Sequence, residues 1–140
     1  MQGASEIEVI EALGELELEG MIKVSPTMAS SVGRVIAYPK LYEVFDPIVL
    51  EGVSPRADAA VIAEAILATK DSVSMPDVAD VNGWSIRRAN PAISIIGQMI
   101  DEARKSSPYG IGYCVRVMTA DAKERLLFRR LIDDVKDPQT

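Results

Sequence analysis

The side chains that carry most enzyme chemistry are scarce in this 140-residue chain. It contains no histidine and a single cysteine, Cys114. A Ser-His or Cys-His catalytic pair, a His-ligated zinc site and an internal disulfide are therefore all excluded. Gly110 and Gly112 reproduce only a fragment of a phosphate-binding glycine loop. The chemistry that remains is that of carboxylates, guanidinium groups, amides and hydroxyls.

Three alternating glutamates are the arrangement of acids that comes closest to a catalytic pattern. Glu15, Glu17 and Glu19 would line one side of a strand, if that stretch were a strand. A hydrolytic pair needs two carboxyls at a controlled separation, in a cleft that drives their pKa values apart. Nothing in this spacing indicates a cleft, and a run of acids is usually a solvated face. We therefore expect a protein that is not an enzyme and that needs no cofactor and no metal.

The bases are concentrated in the second half of the chain. The formal net charge is −6, and the first 60 residues hold ten acids and four bases. Residues 84–130 hold nine bases and only four acids. Such a basic segment can contact a polyanion even on an acidic chain. The alternative is that these bases are ordinary solvated helix faces.

Length and composition favour one domain, or two small units packed together, with a real hydrophobic core. The chain is 48% hydrophobic and 26% charged, which is too apolar for a disordered protein. No apolar run approaches the ~20 residues that a membrane span requires, and the acidic N-terminus does not resemble a secretory signal. The lone cysteine fits a reducing compartment, so we expect a cytoplasmic protein without a membrane partner.

The first 53 residues predict a helix followed by short strands. Ser5 and Glu8 have the spacing of a capping box, and Ile7, Ile10 and Leu13 follow at helical intervals. The helix should run from about residue 6 to about residue 18. We expect short strands over residues 21–24, 34–38 and 41–45, with Pro39 and Pro47 interrupting the last two.

Helix start and stop signals are clearest after residue 53. Ser54 and Pro55 begin a helix that should end near Thr69. Ser74 should cap a second, short helix that Asn82 and Gly83 end.

A third helix should begin either at Ser85 or at the Asn90-Pro91 pair, and should end at Arg104 and Lys105. A strand over residues 111–118 and a last amphipathic helix after Asp121 follow, unless residues 125–132 form the second strand of a hairpin. Residues 137–140 should fray.

The order of these elements resembles a winged helix, the helix-turn-helix variant in which a β-hairpin follows the third helix. The resemblance covers about residues 54–130. Residues 75–84 (MPDVADVNGW) look like the second helix and turn, residues 85–93 (SIRRANPAI) like the entry to a recognition helix, and residues 113–117 like the first wing strand.

Residues 11–24 (EALGELELEGMIKV) resemble the end of a second recognition helix running into a wing. Residues 5–50 could therefore be a second, truncated unit, or equally a βαβ-like embellishment. The expected fold class is α+β, mainly helical with short antiparallel strands. The expected units are residues 1–53 and 54–136, followed by a flexible tail.

The resemblance implies a DNA-binding module of a transcription-regulating or replication-related protein, with the start of the third helix in the major groove. Arginine reads guanine, asparagine reads adenine, and hydroxyls and amines hold phosphates. The implied contacts on the helix are Ser85, Arg87, Arg88, Asn90, Ser94 and Gln98, and those of the wing or backbone are Arg116 and Lys123. For Asn90, the alternative is a simple helix cap.

A second function fits the same fold. Fold alone does not settle function, and a winged helix can serve as a protein-protein interaction or assembly module without binding DNA. The sequence pI of about 4.7 favours this adaptor role, because nucleic-acid-binding modules are usually basic. The partner would then be another protein or a second copy of this chain.

Overall fold

The computed structural model describes residues 5–27, 30–106 and 112–137. Over these ranges the chain forms six α-helices and two small antiparallel sheets, so the expected α+β class with mainly helical content is confirmed. The chain divides into two compact units, residues 1–45 and residues 46–140. No helix of the described ranges is long and apolar enough to cross a membrane.

The first unit contains a helix and a β-hairpin. Its elements are α1 (Glu6–Leu18), β1 (Ile22–Thr27) and β2 (Ser30–Ala37), and α2 (Pro39–Val49) begins in it. The capping box that starts α1 is confirmed, because the Ser5 hydroxyl accepts from the Glu8 amide at 3.2 Å and the Glu8 carboxylate accepts from the Ser5 amide at 3.3 Å. The two strands pair antiparallel, with Val24 opposite Val35. A βαβ arrangement is therefore wrong for this unit.

The strand expected over residues 41–45 is also wrong, because this stretch lies inside α2. Pro39 is the first residue of that helix, where its fixed φ suits the helix and its missing N–H is not needed. Pro47 lies inside the helix, although proline there removes one backbone hydrogen bond. A five-residue apolar stretch was too short to distinguish a strand from a helical turn.

The second unit is built from four helices and three two-residue strands. These are α3 (Pro55–Leu67), β3 (Val73–Ser74), α4 (Met75–Asn82), α5 (Ile86–Gln98), β4 (Lys105–Ser106), β5 (Val117–Met118) and α6 (Ala122–Lys136). The predicted caps are confirmed: the Ser54 hydroxyl accepts from the Ala57 amide at 3.2 Å and the Ser74 hydroxyl accepts from the Asp77 amide at 3.4 Å.

The core of the second unit lies between α3, α5 and α6. Ile62, Ile93, Ile96, Met118 and Phe128 are all fully buried in it. The small sheet has the order β3-β5-β4, with β5 antiparallel to both neighbours. β4 and β5 follow α5 in the chain and pair with each other as an antiparallel ribbon. β5 also pairs with β3, which directly precedes α4.

Three boundary predictions are wrong in this unit. The third helix ends at Gln98, not at Arg104 and Lys105, because Asp101 caps a short 3-10 helix and Lys105 then pairs with Met118 in the sheet. Residues 113–116 are not a strand; only Val117–Met118 is, and it is the returning strand of the ribbon. The hairpin alternative for residues 125–132 is wrong because α6 runs through them. Ile111 lies outside the described residues, as do residues 138–140.

Candidate functional site

A short turn connects α4 to α5 and fixes where α5 begins. Gly83 ends α4 in the left-handed conformation, with φ of 69°, which a glycine adopts without steric cost. The Trp84 amide donates to the Ala79 carbonyl at 2.9 Å. The Ser85 hydroxyl then accepts from the Arg88 amide at 3.2 Å and caps α5. Of the two predicted starts, Ser85 is confirmed, and Ser85 has a capping role.

One side of α5 carries three polar side chains, although Pro91, one turn after Arg87 on the same side, is buried. Arg87, Ser94 and Gln98 are spaced by seven and four residues, which places them on one side of a helix. Arg87 and Gln98 are exposed and Ser94 is half-buried. On the opposite side, Ile93 and Ile96 are buried. Three of the eight implied contacts are thus brought onto one outward face, which we call the α5 outer face.

Arg87 is bound to a buried carboxylate. Its two terminal nitrogens donate to the two oxygens of Asp46, with distances of 3.1 and 2.7 Å. The Asp46 side chain is 2% exposed, whereas half of the Arg87 side chain is accessible. The guanidinium group is therefore at the surface, but its charge is neutralised by the end of α2.

Arg88 has a similar partner on a different helix. Its Nε and Nη2 donate to the two oxygens of Asp58 at 2.9 and 3.0 Å, and its guanidinium carbon lies 5.5 Å from the centre of the Trp84 ring. The hydrogen bond with Asp58 raises the pKa of Arg88 above its usual value. Arg88 therefore ties α5 to α3 and to the turn, and its donors are directed inward.

Asn90 holds the backbone of the chain that leads into β5. Its side-chain amide donates to the Gly112 carbonyl at 2.9 Å, and its side-chain oxygen accepts from the Cys114 amide at 2.8 Å. The alternative that Asn90 caps a helix is wrong, since it lies inside α5 and Ser85 is the cap. Both ends of its amide are used inside the protein.

The remaining bases of residues 84–130 fall into two groups. Arg104 binds Asp121 and Glu124, Lys105 binds Glu102, and Arg125 donates to three carbonyls at the end of α3. In contrast, four exposed bases have no carboxylate within ion-pair distance in the described ranges. These are Arg116, Lys123, Arg129 and Arg130.

Glu124 is the most heavily bonded acid of this region. It accepts from Arg104 at 2.6 and 2.9 Å and from the amides of Asp101 and Asp121 at 2.7 and 2.9 Å. The Arg104 hydrogen bonds lower the pKa of Glu124 to about 2. Its backbone amide also completes a capping box with Asp121. Glu124 thus joins the start of α6 to the segment between α5 and β4.

Next to this carboxylate is an open cleft that Gln98 and Lys123 both line. Gln98 and Lys123 thus line one cleft, together with the acids Asp101, Asp121 and Glu124. Arg116 lies elsewhere: its amide donates to the Ser106 carbonyl and its carbonyl accepts from the Met75 amide, next to the end of the ribbon where Ser106 and Val117 pair.

The sequence analysis did not identify Asp46 and Asp58 as the ion-pair partners of Arg87 and Arg88. Asp46 is 41 residues from Arg87 in the chain, and no local signal connects them. For Asp58 a signal existed. It is spaced by four and eight residues from the buried Ile62 and Ile66, so it lies on the apolar face of α3. An acid on such a face indicates a buried partner, since an unpaired buried charge is very costly.

Over residues 5–27, 30–106 and 112–137 there is no group of three acidic or cysteine side chains arranged to hold a metal ion. No protein-family model, curated protein or solved structure matches the chain. Function is therefore inferred from the geometry of the second unit.

Proposed function

We propose that residues 54–136 form a winged helix that binds DNA, as a non-catalytic module of a regulatory or replication-related protein. The order of elements supports this proposal. A three-residue turn joins α4 to α5, as in a helix-turn-helix, and an antiparallel ribbon of β4 and β5 follows α5. These features support a fold, and a fold does not by itself determine a function. The choice of function therefore depends on the side chains that the surface of the second unit presents.

The α5 outer face is the observation that carries the proposal. An exposed helix face could be apolar, acidic or polar, and only a polar or basic one suits the major groove. Here the face carries a guanidinium group, a hydroxyl and an amide, from Arg87, Ser94 and Gln98, and no acid of its own. These are side-chain types that read base edges or hold phosphates.

Arg116 and Lys123 would contact the DNA backbone. Both are exposed, and neither has a carboxylate partner in the described part of the chain. Lys123 and Gln98 both line the open cleft at the end of α5. Arg116 lies next to the ribbon, at the end where Ser106 and Val117 pair. A basic side chain without a carboxylate partner suits a phosphate contact, because one that is already paired with an acid gains little from a phosphate.

Titration of a labelled 30-base-pair duplex, followed by fluorescence anisotropy at several salt concentrations, tests the proposal. We expect the wild-type chain to bind at about 50 mM salt. Loss of two phosphate contacts in Arg116→Ala/Lys123→Ala should reduce the slope of log K against log salt by about 1.8. The matched control, Lys70→Ala/Arg129→Ala, removes two exposed bases from other positions and should leave that slope unchanged.

Two results would contradict the proposal. One is the absence of wild-type binding at low salt. The other is an equal change of slope in both double variants, which would show that only overall charge matters.

A protein-interaction role is the second candidate, and two observations favour it. Arg87 and Arg88, the bases at the start of α5, are both paired with internal carboxylates. Val81 at the end of α4 is 86% exposed, and Ile86 at the start of α5 is also exposed. Two exposed apolar side chains beside the turn suit a protein surface better than a phosphate backbone.

Sedimentation equilibrium separates the two candidates. For an interaction module that assembles with itself, the wild-type chain should form a dimer that Val81→Ser/Ile86→Ser abolishes, with no binding of the duplex. A monomer that binds the duplex supports the DNA proposal. A monomer that does not bind it leaves only a different protein as partner.

A further inference from the structure

The first helix presents an apolar stripe that is exposed at both ends. Ile7, Ile10, Gly14 and Leu18 are spaced by three, four and four residues, so they follow one face of α1 over about 17 Å. Ile7 is 70% exposed and Leu18 is 89% exposed. A side chain as large as leucine loses its burial free energy when it is left in water. We call these four positions the α1 stripe.

Gly14 leaves a gap in the middle of this stripe. A Cβ atom added there would meet nothing within 4 Å, so no packing within the described residues requires a glycine. In the middle of a helix, glycine is less stable than alanine. A gap between large apolar side chains allows a partner backbone to approach closely.

Glutamates flank the stripe on both sides. Residues 5–20 include six glutamates and no base. Glu11, Glu15 and Glu19 follow one another at four-residue spacing, where like charges on a helix repel. Glu17 and Glu19 also lie at the C-terminal end of the helix, where its dipole disfavours negative charge. The acidity therefore destabilises the isolated helix.

A few of these glutamates have a structural role. Glu8 belongs to the capping box, and Glu17 accepts from the Val24 amide at 2.7 Å. Glu11 and Glu15 are exposed and form no ion pair within the described ranges. Their charge is thus available to something outside the chain.

We propose that the α1 stripe docks a basic amphipathic helix of another protein. An apolar stripe with acidic borders is complementary to an apolar stripe with lysine or arginine borders, and apolar burial then supplies affinity while charge sets the choice of partner. A second copy of this chain is disfavoured, because its α1 would place glutamates against glutamates. The proposal concerns the first unit and does not depend on DNA binding by α5.

Isothermal titration of the full chain with a synthetic peptide tests the proposal. The probe is a helix of leucine and lysine, with leucines at three- and four-residue spacing. A control peptide has the same composition in an order that removes the apolar face. We expect the amphipathic peptide to bind at low salt, the control peptide to bind at least tenfold more weakly, and salt to weaken the amphipathic complex.

Three pairs of substitutions locate the complex. Ile7→Ser/Leu18→Ser and Glu11→Gln/Glu15→Gln should each weaken peptide binding by about tenfold or more, since the first removes buried area and the second removes charge complementarity. The matched control is Ile48→Ser/Leu126→Ser, which removes two exposed apolar side chains from the second unit and should leave binding unchanged.

Several outcomes would overturn the proposal: equal binding of both peptides, equal weakening by all three variants, or no binding of either peptide. A wild-type dimer that Ile7→Ser/Leu18→Ser converts to a monomer would also overturn it, because the occupant would then be a second copy. The duplex titration on the same variants keeps the two proposals separate. If the α1 variants lose peptide binding but bind the duplex as the wild type does, the result bears on the α1 proposal and not on DNA binding.

Discussion

Protonation of Glu124 should destabilise the second unit in acid by a predictable amount. Its carboxylate is buried and accepts four hydrogen bonds, two of them from Arg104. The Arg104 contact holds the pKa of Glu124 at about 2 in the folded chain, against an ordinary value of 4.5 for a glutamate. The folded-state pKa is depressed, so the stabilisation is present above pH 4.5 and is lost as the pH falls toward 2.

The size of the effect follows from this difference in pKa. A fall from 4.5 to about 2 corresponds to about 3 kcal/mol of unfolding free energy at neutral pH. Of this, about 2 kcal/mol should be lost between pH 7 and pH 3. Glu124→Gln resembles the protonated side chain, because it is neutral and cannot form an ion pair with Arg104. The variant should therefore be about 3 kcal/mol less stable than wild type at pH 7 and only about 1 kcal/mol less stable at pH 3.

Urea unfolding, followed by the fluorescence of Trp84, measures this difference. Trp84 is the single tryptophan and is buried in the second unit, so it reports on the relevant transition. The difference between variant and wild type at each pH removes the contribution of the other carboxylates. The matched control is Glu102→Gln, because the Glu102 side chain is 87% exposed in its ion pair with Lys105. It should cost less than about 1 kcal/mol at every pH.

A constant difference between Glu124→Gln and wild type from pH 7 to pH 3 would refute the reasoning. It would mean that Glu124 stabilises the fold through packing or its neutral hydrogen bonds, and not through its charge. A control variant with the same pH dependence would locate the effect elsewhere.

Three further substitutions test the Arg87–Asp46 ion pair and the glycine that set the geometry of α5. Arg87→Ala should destabilise the chain by about 3 kcal/mol, because it leaves the buried Asp46 carboxylate unpaired, whereas Asp46→Asn should cost only about 1 kcal/mol, since the half-exposed Arg87 can be solvated. Urea unfolding at pH 7 measures both, and equal costs would contradict the assignment of Asp46 as the desolvated partner. Gly83→Ala should cost about 1 kcal/mol from its φ of 69° alone, because an added Cβ meets nothing within 4 Å. A thermal unfolding scan tests this, and an unchanged midpoint would show that the turn relaxes without strain.

Local signals predicted most of the helix starts, and they did so for a physical reason. The hydroxyls of Ser54, Ser74 and Ser85 accept from amides three residues away, so the whole interaction lies within four residues of sequence. The end of α4 at Gly83 was also predictable from a local signal, since the left-handed φ that ends the helix is a property of one residue. Such features depend little on the rest of the chain, and the sequence alone was sufficient for the helices that begin after Ser54 and Ser74. At Ser85 it was not, because the Asn90-Pro91 pair is an equally local signal for a helix start.

Features that depend on distant residues were not predictable. The end of α5 is set by pairing between Lys105 and Met118, which a helical pattern running to residue 105 cannot anticipate. The residues for the α5 outer face were found, because their spacing is local. The charge state of that face was not, because Asp46 and Asp58 reach Arg87 and Arg88 across 41 and 30 residues.

These pairs limit how α5 could discriminate between DNA sequences. If Arg87 reads a guanine with the same two N–H groups that bind Asp46, these groups must leave the Asp46 oxygens, so one bidentate partner replaces another. A good bidentate contact with a base contributes about 1–3 kcal/mol of discrimination. Most of that gain would be offset by the cost of leaving the buried Asp46 carboxylate unpaired, unless a basic side chain or water reaches it. Affinity would then come mainly from basic side chains such as Arg116 and Lys123, which have no carboxylate partner in the described ranges and would hold phosphates whatever the DNA sequence. Strong discrimination through these two N–H groups therefore requires that DNA binding also move the end of α2, and in a comparison of duplexes that differ at one base pair, the Asp46→Asn variant should discriminate better than the wild type.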